Sequence, residues 1–187
     1  MTSRQIRQLY RICETPLHVQ EHMQQVAKVA TIIAKKIKRN GHNVDTKFTE
    51  QLALVHDLMK AISFKEVDQK SLPKKYQNIH DVMATSRILK KQDEKNLARA
   101  VLSQQFDAVI SPDHPIKSIE ETIVYYADKR VAHTKIVSLE ERFEEGSRRY
   151  GKRNKKIEKE IFELERELSC MTGEDLSRYT ARIFANA

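Results

Sequence analysis

Between Pro16 and Gly41 the apolar residues Val19, Met23, Val26, Ala30, Ile33 and Ile37 return every three or four positions. That period belongs to an α-helix face, so the segment predicts one long amphipathic helix. Thr15 before Pro16 reads as an N-cap followed by proline at the first helical position. At the far end Lys35, Lys36, Lys38 and Arg39 suit the negative pole of the helix dipole, and Gly41 suits a left-handed C-cap. The same reading predicts helices from about Thr46 to Ala61, from His80 to Lys91 and from Glu94 to Val109. Pro112 and Pro115 then break the pattern. Ser118 and Glu121 have capping-box spacing and open a helix carrying Ile119, Ile123, Tyr126 and Val131. Ser138 and Glu141 repeat that signature. Four glycines and four prolines in 187 residues leave little turn material for a sheet, so the expected class is all-α.

Two parts are expected: a helical domain over residues 1–137 and a highly charged helical extension over 138–187. In the extension, Ile157, Ile161, Leu164 and Leu168 form a narrow stripe that reads as a packing or assembly element. A homodimer through a helix at about 152–170 is one use for it. Cys13 and Cys170 make no disulfide framework and lack metal-site spacing, so both read as reduced thiols. The N-terminal stretch has no apolar core of signal-peptide length, and no apolar run approaches the ~18 residues of a membrane span. A cytoplasmic location without membrane contact is the expectation.

Three ionisable residues fall where apolar periodicity predicts burial. His22 lies three after Val19 and four before Val26; His56 adjoins Val55 and lies four after Leu52; Asp128 lies four after Val124 and three before Val131. An unpaired buried carboxylate costs several kcal/mol, roughly, and each buried imidazole needs a partner. A divalent cation shared by imidazoles and carboxylates removes these costs together, and that donor mixture suits Mn, Fe, Co, Ni or Zn better than Ca or Mg. Taken singly, a histidine on an apolar face is more often a hydrogen-bonded core group than a ligand, and His56-Asp57 reads as an ordinary helix end.

The ordered set resembles the HD superfamily of metal-dependent phosphohydrolases, over about residues 15–135. The resemblance rests on Glu21-His22-Met23 in an early helix, on Val55-His56-Asp57-Leu58-Met59-Lys60, and on Tyr126-Ala127-Asp128-Lys129. Leu58-Met59 replaces the Ile-Gly common after the doublet. The resemblance implies a helical bundle, a divalent metal held by His22, His56, Asp57 and Asp128, and hydrolysis of a phosphate ester, often a nucleotide, by a metal-activated water. Mg joins the candidate metals on that ground.

Asp57 is also a candidate to orient or deprotonate the water, and Lys60, one turn after His56, to bind the substrate phosphate. Lys129 and Arg130 are similar candidates. His80 looks like the first histidine of a second metal site found in many relatives. The next is expected near 103–106, where this chain has Ser103-Gln104-Gln105-Phe106, so one metal per chain is expected; His114 is the only substitute nearby. His18, four residues before His22, reads as a residue at the site mouth.

A net charge of +8 suits a phosphate-bearing substrate and equally a nucleic acid. The competing reading is therefore a phosphate- or nucleic-acid-binding module with a structural or lost metal. Its support is Arg148, Arg149, Lys152, Arg153, Lys155 and Lys156. Against it stand the nearby Glu158, Glu160 and Glu163, which make a solvated helix face, and the absence of aromatic interleaving beyond Tyr150.

Overall fold

The structure, a computed structural model, describes residues 1–64, 67–68, 70, 72–151 and 153–180. Helices carry the fold, and the all-α expectation holds apart from one two-residue-by-two-residue hairpin. Helix α2, Leu17–Arg39, is the central element: nine of its residues, including Met23, Val26, Val29, Ala30 and Ile33, are buried. It packs chiefly on α3, Thr46–Val55, and α6, Ile119–Lys129, with α4, Asp81–Lys91, and α5, Lys95–Ala100, completing the layer behind α3.

Helix α1, Ser3–Ile12, went unanticipated. It is short, but a Thr2–Gln5 capping box starts it, and Ile6, Leu9 and Tyr10 give it a buried face. The Tyr10 hydroxyl donates to the Leu54 carbonyl at 2.7 Å, tying α1 to α3. Pro16, not Thr15, is the N-cap of α2. The Thr15 hydroxyl instead donates to the Leu58 carbonyl at 2.8 Å, holding the chain that follows α3 against the start of α2. Gly41, at φ +88°, ends α2 as expected.

Two expected helices are shorter than their periodicity. The helix predicted over 46–61 stops at Val55. Beyond it the bonds tighten from i−4 to i−3, Leu58 N–H to the Val55 carbonyl and Lys60 N–H to the Asp57 carbonyl, and a 3-10 helix follows at Lys60–Ser63. The helix predicted over 94–109 stops at Ala100 and becomes a 3-10 helix at Val101–Gln104. There Ser103 donates its hydroxyl to the Ala100 carbonyl, and Gln105 turns extended. In both places the apolar spacing reports burial, which survives the change of winding. Val131, assigned to the helix opened by Ser118, lies past its end in a hairpin of β1, Val131–Ala132, and β2, Lys135–Ile136.

Helix α7, Leu139–Tyr150, opens on the predicted Ser138–Glu141 capping box and closes on Gly151 at φ +75°. Helix α8, Lys155–Thr172, buries Ile157, Ile161 and Leu168 in the same core as α2 and α6. The stripe offered for assembly is thus covered largely within the chain. Arg130, fully buried, fastens this arrangement. Its guanidinium donates to the carbonyls of Val137 (2.7 Å), Leu176 (2.6 Å) and Tyr179 (2.7 Å) and to Glu165 on α8 (3.1 Å). No helix among the described residues is long and apolar enough to cross a membrane.

Candidate metal centre

His22 projects from the second turn of α2, His56 caps the C-terminus of α3, and Asp128 lies in the last turn of α6. Because α3 and α6 both pack on α2, these three side chains meet. One donor atom from each lies within 4.8 Å of the other two. The Asp128 Oδ1 stands 3.0 Å from His22 Nε2 and 3.6 Å from His56 Nε2. Ligand atoms about 2.0–2.2 Å from one ion stand no more than about 4.4 Å apart, so these separations suit a shared cation.

The hydrogen bonds on the far sides fix which atoms face inward. His56 Nδ1 lies 2.8 Å from the Ala53 carbonyl, and His22 Nδ1 lies 2.9 Å from the His133 carbonyl. A carbonyl only accepts, so each Nδ1 donates, and Nε2 is the ring atom turned towards Asp128, able to bind a cation when it carries no proton. His56 Nε2 is buried with no hydrogen-bond partner, and His22 Nε2 pairs with Asp128 Oδ1 at 3.0 Å, a contact that a ring proton or a shared cation can bridge. Two inward Nε2 atoms and a carboxylate oxygen fit a metal ion, and backbone carbonyls behind ligating histidines are its usual support. The third donor is held likewise: Lys129 Nζ donates to Asp128 Oδ2 at 2.7 Å and lies 4.3 Å from the centre of the Tyr125 ring, leaving Oδ1 for the cluster.

Electrostatics follow the geometry. Burial pushes the Asp128 carboxyl up, but the Lys129 ammonium and the two imidazoles outweigh it and hold the group well below the usual carboxylate range. Burial lowers His56, and the carboxylates of Asp57 and Asp128 overcome that and raise it. Asp128 is therefore ionised whenever a cation could bind.

Asp57 stands at the edge of this group, its Oδ2 3.9 Å from His56 Nε2. Its Oδ1 is 3.7 Å from Lys60 Nζ, which also lies 3.3 Å from Asp81 Oδ2. The Asp57 carboxylate, then burial in the opposite sense and Asp81, set the Lys60 ammonium, whose pKa is raised. Lys60 therefore stays charged beside the centre, with its side chain 42% exposed. Asp81 is the residue missed in the sequence. It is 2% exposed and holds Lys60 from behind; an ionisable side chain directly after His80 on the buried face of α4 was the available signal.

The other candidates are not among the three grouped donors. His80 caps α4, with Nδ1 2.7 Å from Asp81 Oδ1, and its side chain is 57% exposed. His18 is exposed and stacks on Phe64, ring centres 5.7 Å apart. Arg130 points away from the centre into its network with α8. Ser103 and Gln104 are buried against Ala100 and the Glu121 carbonyl, and neither they nor His114 joins the ligand group. In the basic cluster, Arg149 pairs with Glu145 at 2.6 Å and Arg153 with Glu158 at 2.7 Å; Lys152 lies outside the described residues.

No curated protein and no solved structure matches the chain. The HD domain family model matches residues 19–132, a span that begins three residues before His22 and ends four after Asp128. With more than half of its length so matched, and with its two histidines and distal aspartate gathered at one point, the chain belongs to the HD domain family.

Proposed function

We propose that this protein is a metal-dependent phosphohydrolase that cleaves a phosphate ester of a nucleotide or nucleotide-like small molecule in the cytoplasm. The observation that carries the reading is the buried His56 Nε2, which has no hydrogen-bond partner and lies beside Asp128 and His22. His22, His56 and Asp128 hold one divalent cation per chain, with Asp57 as a fourth ligand from the rim. The imidazole share favours Mn, Fe, Co, Ni or Zn over Mg. A cation bound there lowers the pKa of a coordinated water and neutralises charge on a phosphoryl oxygen.

The chain's own groups do the rest. Asp57 is placed to orient the attacking water and to take its proton. Lys60, held between Asp57 and Asp81 and partly exposed, is placed to bind a phosphoryl oxygen. Residues 1–137 form the catalytic unit, and α8 of the extension that begins at 138 packs on it.

The test is metal analysis of the purified protein, followed by a screen of phosphate esters with Mn, Co, Ni and Mg. His56→Ala and Asp128→Ala should lose bound metal and turnover while keeping the helical circular dichroism spectrum. Turnover that persists in Asp128→Ala would refute the assignment.

A further inference from the structure

His22 is held by a residue outside the matched family span. Its Nδ1 donates to the carbonyl of His133, which sits at the tip of the β1–β2 hairpin. The register Val131↔Ile136 and Ala132↔Lys135 leaves only His133 and Thr134 for the turn. Such two-residue turns require a positive φ at their first residue and favour glycine, asparagine or aspartate there. Here the position holds histidine at φ +56°, a conformation strained for an L side chain. Strain of this kind persists only where the surroundings impose it. Two neighbours do. On one side is the bond to His22; on the other, Arg149 on α7 reaches the His133 ring, Nη2 to Nε2 at 3.4 Å, while Glu145 holds Arg149 at 2.6 Å.

We propose that His133 is a positioning residue for the metal centre: its left-handed backbone, braced from α7 by Arg149 and Glu145, presents the carbonyl that keeps His22 Nε2 turned towards the ion. The proposal rests on the metal-site reading above. It makes the segment after the HD match, from the hairpin turn at His133 to α7, a working part of the centre. The hairpin follows Asp128 by only a few residues, so one stretch of chain supplies a ligand and orients another.

The test measures zinc affinity by chelator competition in His133→Val, His133→Asn and His133→Gly. Valine is β-branched and resists positive φ, whereas asparagine and glycine accept it. His133→Val should lose about 10- to 100-fold in affinity, the range for losing a group that orients a metal ligand. His133→Asn and His133→Gly should stay within about two- to threefold of wild type, the scale of an ordinary surface change. Equal losses in all three variants, or none in valine, would overturn the proposal. A second measurement guards against a valine variant that does not fold: the nitrogen chemical shifts of the His22 ring in the wild-type protein. The protonated nitrogen should be Nδ1 with and without zinc; a proton on Nε2 alone would overturn the proposal. If the wild type binds no zinc, the metal reading fails by itself, and the His22 tautomer in the metal-free protein still decides the role of His133.

Discussion

Replacing Arg130 by methionine should unfold much of the margin that holds this protein together. Arg130 is 1% exposed, and its guanidinium serves three backbone carbonyls, the Tyr126 hydroxyl and Glu165. Methionine fills similar apolar volume but donates nothing. It leaves the Glu165 carboxylate, whose side chain is 11% exposed, with the Tyr126 hydroxyl at 2.6 Å and without its cation. Breaking a buried pair from one side costs about 3–5 kcal/mol. In a chain of this length, each kcal/mol moves the melting temperature by about 2–4 °C, so a fall of about 6–20 °C is expected. Urea denaturation and thermal melts read the loss directly. The double variant Arg130→Met/Glu165→Met removes the stranded charge and should be more stable than Arg130→Met alone. A single variant within about 1 kcal/mol of wild type, close to the ordinary effect of a point mutation, would refute the reasoning. So would a raised KM at unchanged stability, because that is the signature of a substrate-binding arginine.

Lys60→Met should raise KM for a phosphate monoester about 10- to 100-fold, the worth of a charge-assisted hydrogen bond, with zinc affinity nearly unchanged; steady-state kinetics and chelator competition separate the two effects. Burial pushes the Cys13 thiol up to about 11, so at pH 8 only about one part in a thousand is thiolate. The rate of Cys13 alkylation should therefore still be climbing between pH 8 and pH 10, and mass spectrometry should find Cys170, which is exposed, modified first.

The cluster of His22, His56 and Asp128 was legible because burial and polarity conflict at those positions. His22 and Asp128 sit inside apolar stripes whose spacing orients them inward, and that spacing is local information. Ser138 with Glu141 and Gly41 were legible for the same reason, since each cap is built from neighbours in the chain. The ends of α3 and α5 were not. An apolar period says which side is buried, and it stays nearly the same when i−4 bonds give way to i−3 bonds. What stops α3 at Val55 includes the His56 ring taking the Ala53 carbonyl, a side-chain contact that periodicity does not encode. Arg130 and Asp81 were misjudged or missed for a different reason. Their roles depend on partners far along the chain: Glu165, Leu176 and Tyr179 for one, Lys60 for the other.

The C-terminal end of α6 shows why the ligand and its supports occur so close together. Successive residues of a helix point about 100° apart, so consecutive side chains reach different neighbours. Asp128 faces α2 and α3 and gives one oxygen to the ligand group, and the long Lys129 side chain folds back to hold the other. Arg130, one step further round, faces α8 and locks the helix end to it. The chain then turns at His133 and sends a carbonyl back to His22. A helix end that strayed by an ångström would loosen a ligand, its counter-charge and the brace on a second ligand at once. That dependence is the physical reason for placing a buried, hydrogen-bonded arginine two residues from the aspartate of the cluster. A phosphate contact would need the same arginine to reach solvent, and it is 1% exposed.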